Sequence, residues 1–250
     1  MVHRIVKVER GTVAGSLYIV STPIGHDEDI TLRAIRTLKD VAVVAAEDPQ
    51  QTQALCERHE IQTPLTSYHN LNKDDKTPLL IRRMQEGQSV ALVSDSGTPV
   101  VSDPGAWLIS QALEAGIRII PVPGPSAVLA ALSVSGLPNE PFFFQGFLPK
   151  QATARRRLLE KLSQERFTLV FFESPGRLLA TLEAIHTLFG RRRIVLGKDL
   201  TKPSEELLRG TTAQILRAVT SHPLDGEITV VIEGRRRKRQ ARITGRAEGN

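Results

Sequence analysis

The chain has 250 residues, with 33 Lys and Arg against 27 Asp and Glu, a formal net charge of +6 and one cysteine. That length suffices for one large domain or two ordinary ones, and no apolar run approaches the roughly 18 residues of a membrane helix. The lone Cys56 excludes an internal disulfide and a multi-cysteine zinc site, and residues 1–12 are too charged for a secretory signal, so a cytoplasmic location is expected.

Along the chain, short apolar runs at 17–20, 41–46, 90–93 and 118–121 read as strands, with helical patterns between them. This is the βαβ rhythm of a mostly parallel sheet. Asp48-Pro49, Thr77-Pro78, Asp103-Pro104 and Ser174-Pro175 each set a capping side chain before a proline, the pattern of a helix start. Gly87, Gly116 and Gly190 stand where the helices should stop. A proline-rich break, Pro121-Val122-Pro123-Gly124-Pro125-Ser126, precedes a small-residue helix at 127–132. The second half has apolar runs of its own at 142–144, 168–172, 194–196 and 228–232. The reading is two α/β domains, 13–122 and 123–234, with one ligand cleft between them, an N-terminal extension 1–12 and a basic tail 235–250 expected to be disordered.

Arginines cluster at 155–157, at 191–193 and in Arg235-Arg236-Arg237-Lys238-Arg239. Together they point to a polyanionic partner held by phosphate contacts that do not depend on sequence.

In an open α/β sheet, ligands bind beyond the carboxyl ends of the strands. Those ends carry Ser21-Thr22-Pro23-Ile24-Gly25, Glu47-Asp48, the loop 95–105, Pro123-Gly124-Pro125-Ser126 and Glu173-Ser174-Pro175. Asp95 offers an acceptor to amine or hydroxyl donors, and Gly97 lets backbone come close to a ligand. Mixed Gly, Pro, Ser and carboxylate loops suit a zwitterionic ligand such as a nucleoside with an amino-acid tail. No G-x-x-x-x-G-K-[ST], G-x-G-x-x-G helix start, H-E-x-x-H or G-x-S-x-G is present, which lowers the triphosphate, dinucleotide, metallohydrolase and acyl-nucleophile readings. The six histidines, His26 and His69 at the sheet edge included, read as non-catalytic.

At these loops the sequence resembles the tetrapyrrole-methylase superfamily, and within it the small-subunit ribosomal RNA 2′-O-ribose methyltransferase I family, over about residues 15–234. The likeness is carried by the order and spacing of Thr22-Pro23-Ile24-Gly25, Ala45-Ala46-Glu47-Asp48, Ser94-Asp95-Ser96-Gly97-Thr98-Pro99, Ser102-Asp103-Pro104-Gly105, Pro123-Gly124-Pro125-Ser126, Gly146-Phe147-Leu148-Pro149, Phe172-Glu173-Ser174-Pro175 and Leu200-Thr201-Lys202. The resemblance implies the class III methyltransferase fold, a homodimer, S-adenosylmethionine in the interdomain cleft, and a cytidine ribose of 16S ribosomal RNA or the small subunit as acceptor. It places the cofactor against Pro23, Gly25, Asp95, Gly97, Thr98, Pro99, Pro123, Gly124 and Ser126. RNA would then approach across the arginine-bearing rim.

Methyl transfer to a ribose hydroxyl needs in-line orientation and help with one proton, and no metal. Glu47, Asp48, Glu173 and Lys202 are the candidates, with Glu47 or Glu173 as base and Lys202 as an orienting or electrostatic group. Where the family usually reads Ala-Glu-Asp-Thr-Arg, this chain has Ala46-Glu47-Asp48-Pro49-Gln50, and His26, Leu71, Ala106 and Gly176 also depart from its pattern. Two alternatives therefore stand beside the enzyme: an RNA- or ribosome-binding homologue with altered catalysis, and a methyltransferase of a tetrapyrrole or other small molecule.

Overall fold

A computed structural model describes residues 14–235, so the extension 1–12 and the tail beyond Arg235 lie outside the described residues. The first sheet holds β1 (Ser16–Val20), β2 (Val43–Ala46), β3 (Leu65–Ser67), β4 (Val90–Val93) and β5 (Arg118–Val122), all parallel, in the order β3-β2-β4-β1-β5. Every residue of β2 and β4 is buried, as a parallel sheet covered on both faces requires. Helices α1 (Leu32–Asp40) and α2 (Pro49–Arg58) cover one face through Ala34, Leu38 and Cys56. Helices α3 (Lys73–Gln85) and α4 (Ala106–Glu114) cover the other through Leu80, Met84, Leu108 and Ala112.

This arrangement creates a switch point. The chain leaves β1 toward β2 over one face by way of α1, and leaves β4 toward β5 over the opposite face by way of α4. The loops after β1 and β4 therefore diverge and open a crevice between them at the carboxyl ends of the strands.

The second sheet holds β6 (Phe142–Phe147), β7 (Thr168–Glu173), β8 (Arg193–Lys198), β9 (Glu206–Thr211) and β10 (Ile228–Ile232) in the order β6-β7-β10-β8-β9. β6 pairs parallel with β7, and the other pairings are antiparallel. Helices α6 (Ala152–Leu162), α7 (Pro175–Phe189) and α8 (Thr212–Ser221) form a core on one face with Leu159, Leu182, Ile185 and Ile215. On the other face α5 (Ala127–Ser135) sets Val128, Ala131 and Leu132 against Val170, Val195 and Val231. Ile24, from the loop after β1, packs into this same cluster, so the two halves share apolar contact where the cleft lies.

Four local expectations are corrected. β3 and β9 were not anticipated: both are edge strands whose apolar content is only Leu65 and Leu207-Leu208, too little to read as an apolar run. Thr77-Pro78 does not start a helix, because α3 begins at Lys73 and carries Pro78 inside it. The Thr77 hydroxyl instead hydrogen-bonds the buried Tyr68 hydroxyl at 3.0 Å. Asp103-Pro104 does not start α4 either; Gly105, at φ +134°, is its N-cap.

Candidate active site

The loops after β1 and β4 are stitched together. Thr22 donates its backbone N–H to Gly97 O at 2.9 Å and Gly97 returns one to Thr22 O at 3.1 Å. The Thr98 hydroxyl donates to Pro125 O at 3.2 Å and lies 2.9 Å from the Ser21 hydroxyl, tying both loops to the segment that leaves β5. Between these loops and the second sheet is a cavity of about 320 Å³, inside the range of small-molecule sites. Ile24, Val101, Val128, Phe147, Phe172, Leu200 and Ile228 make it apolar, and Ser96, Thr98, Ser102, Asp103, Ser126 and Thr229 add hydroxyls and a carboxylate. A second cavity of about 240 Å³ shares Ile24, Ser96 and Glu227 with the first and adds Thr22, Pro23, Gly25, Asp95, Arg58 and Lys202. The two form one cleft.

The loop between Gly97 and Gly105 is bent sharply: Val100 stands at φ +75° and Ser102 at φ +72°. A β-branched residue in that region is a genuine outlier, costing on the order of 1–3 kcal/mol, the kind of strain that clusters at ligand sites. The bend turns Asp103 away from capping α4 and toward the Ser94 hydroxyl and the cavity.

Parallel pairing of β2 with β4 aligns Ala46 with Val93, so the strands deliver Glu47-Asp48 and Ser94-Asp95 to the same edge. Asp95 Oδ1 accepts the Asp48 amide at 2.9 Å, and Asp48 Oδ1 caps α2 by accepting the Gln50 amide at 2.8 Å. Burial, then Asp103 and Asp95, push the Glu47 carboxyl up to about 7. Burial pushes Asp103 up to about 6, against the pull of the Ser94 hydroxyl. Asp95 is raised too, again chiefly by burial. Three carboxyls that resist ionisation together leave Glu47 poised near neutral pH.

The other expected residues divide. Glu173 lines the first cavity, but it is 2 % exposed and already bonded. It pairs with Arg177 at 2.6 Å and accepts the Ser174 amide at 2.8 Å and the Thr181 hydroxyl at 2.7 Å. Lys202 pairs with Glu227 at 3.2 Å and with Asp199 at 3.7 Å, at the mouth of the second cavity. Gly97, Thr98 and Ser126 line the first cavity, and Pro23, Gly25 and Asp95 the second. Pro99 is buried, Pro123 and Gly124 are exposed, and none of these three lines either cavity, nor do Glu47 and Asp48. Sequence reasoning missed Phe147, Phe172, Glu227 and Thr229 as cleft residues and Asp103 as one of the carboxyls flanking Glu47. Phe147 and Phe172 sit inside motifs already singled out, so two of these were within reach.

Beneath Lys202, burial disfavours the charge on Asp199, but the Glu227 amide, Lys198 and the Ser204 hydroxyl outweigh it and hold its carboxyl down at about 2. That network fixes the turn 199–202 and the segment 226–229, both of which wall the cleft.

Within the arginine clusters Arg156, Arg157 and Arg191 are exposed, whereas three others are engaged within the protein. Arg155 is buried and donates to the Pro149 and Lys150 carbonyls, Arg192 donates to Ser163 O, and Arg193 pairs with Glu233 at 2.9 Å. Arg58 and Lys202, the cations lining the second cavity, are each bound to carboxylates, Arg58 to Asp27.

Two parallel-strand loops crossing at a switch point, facing a second sheet over an apolar cleft, define the class. The family model for Tetrapyrrole (Corrin/Porphyrin) Methylases matches residues 16–216, and the chain belongs to that family. Within it, the chain is 46% identical over 220 residues to the ribosomal RNA small subunit methyltransferase I of Halalkalibacterium halodurans, covering 88% of this chain and 76% of that one. It is 42% identical over 221 residues to the protein of the same name from Thermotoga maritima, covering 88% and 99%. In fold it is similar to uroporphyrin-III C-methyl transferase from Thermus thermophilus complexed with S-adenyl homocysteine, with a TM-score of 0.63, 21% identity and coverage of 88% and 97%.

Proposed function

We propose that the chain is an S-adenosylmethionine-dependent methyltransferase acting on a cytidine ribose 2′-hydroxyl of 16S ribosomal RNA. The observation that carries this is the switch-point cleft, apolar inside and bordered by carboxyls, in a chain so similar to small-subunit rRNA methyltransferases. Ile24, Val128, Leu200 and Ile228 suit an adenine ring, and Ser96, Thr98, Ser126 and Asp95 suit the ribose and the amino-acid end of the cofactor. S-adenosylmethionine, when bound there, would supply a sulfonium methyl group for in-line transfer, the O–CH3 bond forming as the S–CH3 bond breaks and S-adenosylhomocysteine leaves.

Glu47 lines neither cavity, but it stands beside Asp95 and Asp103, which do, and it is the base we assign because burial and those neighbours hold its carboxyl up at about 7. Glu173 holds Arg177 and the start of α7 in place, and Lys202 neutralises Glu227 at the mouth. The two-domain division at 122/123 is supported by the sheets, since β5 ends at Val122 and α5 already packs on the second sheet. A second copy of the chain is the partner we expect on edge strand β6, where Phe142, Phe143 and Phe147 are exposed. A cytoplasmic location fits the substrate; among the described residues no helix is long and apolar enough to cross a membrane.

The test is transfer of labelled methyl from S-adenosylmethionine to small ribosomal subunits lacking ribose methylation, followed by mapping of the nucleotide. Label on a cytidine ribose is the expected result. Cofactor binding without label favours a homologue with altered catalysis, a reading that Gln50 in place of an arginine keeps in play.

A further inference from the structure

The second sheet has two poles. Glu173, Ile228 and Lys198 are in register at the cleft end, whereas Leu169, Ile232 and Ile194 are in register at the other. With a rise of about 3.3 Å per residue, that far pole lies roughly 15–20 Å from the cavity. Three separate segments bring arginines to it: Arg166 before β7, Arg191 and Arg192 before β8, and Arg235 after β10.

Their backbones converge. Arg235 N–H donates to Glu165 O at 2.7 Å, its Nη1 donates to Gln164 Oε1 at 2.6 Å, and Gly234 packs on the Arg166 carbonyl so closely that a Cβ there has no room. Arg192 lies over the Phe189 ring at 4.8 Å and donates to Ser163 O, while its Nη1 is buried with no hydrogen-bond partner among the described residues. Burial, and next the charge of Arg235, pull the Arg192 guanidinium below its ordinary value, against Glu233. Acids also reach this pole: Glu233 is engaged by Arg193, Glu165 is half-buried, and the exposed Glu140 precedes β6. In sequence the patch runs directly on into Arg236, Arg237, Lys238 and Arg239.

Like charges gathered from three segments, with Arg166, Arg191 and Arg235 exposed, repel one another unless an anion lies among them. Guanidinium groups match phosphate in geometry, and a cluster of them fits a chain of phosphates better than one small anion. The cleft does not supply this service, since the cations lining it are paired and its border is acidic.

We propose that the far pole is an RNA-backbone anchor, in which the exposed Arg166, Arg191 and Arg235 hold phosphates of the substrate at a distance from the nucleotide in the cleft, with Arg192 packed beneath them. The inference rests on the RNA reading of the preceding section. It deepens that reading by naming the acceptor as a large structured RNA that reaches both sites, rather than a short strand.

The experiment compares the wild type with Arg166→Glu, Arg191→Glu and the double variant, using small subunits and, separately, a ten-nucleotide RNA containing the mapped cytidine. Binding of S-adenosylhomocysteine and the thermal midpoint report the fold. If the double reversal fails to fold, Arg166→Gln with Arg191→Gln replaces it. The expected result is a several-fold rise in KM for subunits and a salt dependence of log K shallower by about 0.7 to 0.9 per phosphate lost. Cofactor affinity, kcat at saturation and turnover of the short RNA stay unchanged. Unchanged KM and salt slope, with methylation intact, overturn the anchor and leave the enzyme. A wild type that neither binds RNA nor methylates it overturns both. Loss of binding to phosphatidylserine vesicles in the variants, with RNA affinity untouched, assigns the patch to membranes and overturns the proposal.

Discussion

Gly25, past the end of β1, and Lys202, past the end of β8, come from different sheets and touch: a Cβ on Gly25 would stand 2.5 Å from Lys202 Cγ, 2.7 Å from Thr201 Oγ1 and 2.8 Å from Leu200 O. One of those obstacles is backbone, so the turn 200–202 must move to admit even a methyl group. Gly25→Ala is therefore expected to loosen the joint between the sheets and weaken S-adenosylhomocysteine binding about tenfold in calorimetry, with the melting midpoint lowered by only a few degrees. Unchanged affinity would show that the 200–202 turn does not shape the site.

Glu47 should set the pH profile. A base must be ionised to act, so methyl transfer is expected to rise with pH through a midpoint near 7, and Glu47→Gln should remove most of the activity, about 10²-fold or more. The same substitution should stabilise the fold at high pH. The folded carboxyl holds its proton to about 7, above its ordinary 4.5, so wild-type stability falls as pH rises through that window. Glu47→Gln escapes the fall and gains, after solvent screening, about 1 kcal/mol above pH 7 and nothing below pH 4. Urea midpoints at pH 4 and pH 8 measure it.

Glu173 is expected to answer as a structural residue. Glu173→Gln leaves Arg177 without its 2.6 Å partner beside a buried position, a loss of roughly 2–4 kcal/mol in urea unfolding. Activity per folded molecule should stay within a few-fold, with an unshifted pH profile. A shifted profile would return Glu173 to the chemistry.

Gln50 lies in the first turn of α2, one residue beyond Pro49, and is exposed. Gln50→Arg is expected to lower KM for the RNA acceptor several-fold without moving cofactor affinity. No change in KM would mean that the cleft mouth does not use an arginine there.

How much of this was legible in sequence follows from what each residue answers to. β4 and β10 were read to the residue because all their side chains are buried and all but Thr229 are apolar. β3 and β9 escaped because their apolar content is one and two residues, Leu65 and Leu207-Leu208, whereas the edge strands β5 and β6 keep longer apolar runs. Asp48-Pro49 and Ser174-Pro175 were read as helix starts and are, but only Asp48 caps with its side chain, whereas the Ser174 hydroxyl accepts from Arg177 Nε instead. Asp103-Pro104 misled because its loop takes left-handed backbone at Val100 and Ser102, which no local pattern announces. The carboxyls near Glu47 were each visible, but that Asp95 and Asp103 raise it depends on β2 lying beside β4, a strand order that sequence does not state. The arginine clusters were legible as three basic runs pointing to a polyanion, and only the structure shows that Arg155 and Arg192 are engaged by carbonyls and which pole Arg166, Arg191 and Arg235 occupy.

The order of the second sheet bears on how the chain is made. The first sheet is complete once Val122 has been synthesised, and its strands can close as a unit while the rest is still emerging. In the second sheet β10, the last strand of the described residues, is inserted between β7 and β8. Until Ile228–Ile232 arrives, β7 and β8 each wait with an open hydrogen-bonding edge and an apolar face. A nascent chain stopped anywhere before residue 228 thus presents a finished first half joined to a sheet without its centre, the kind of species that chaperones hold and proteases remove. For this protein, cellular yield should depend on Ile228–Ile232 far more than on any loop near the cleft.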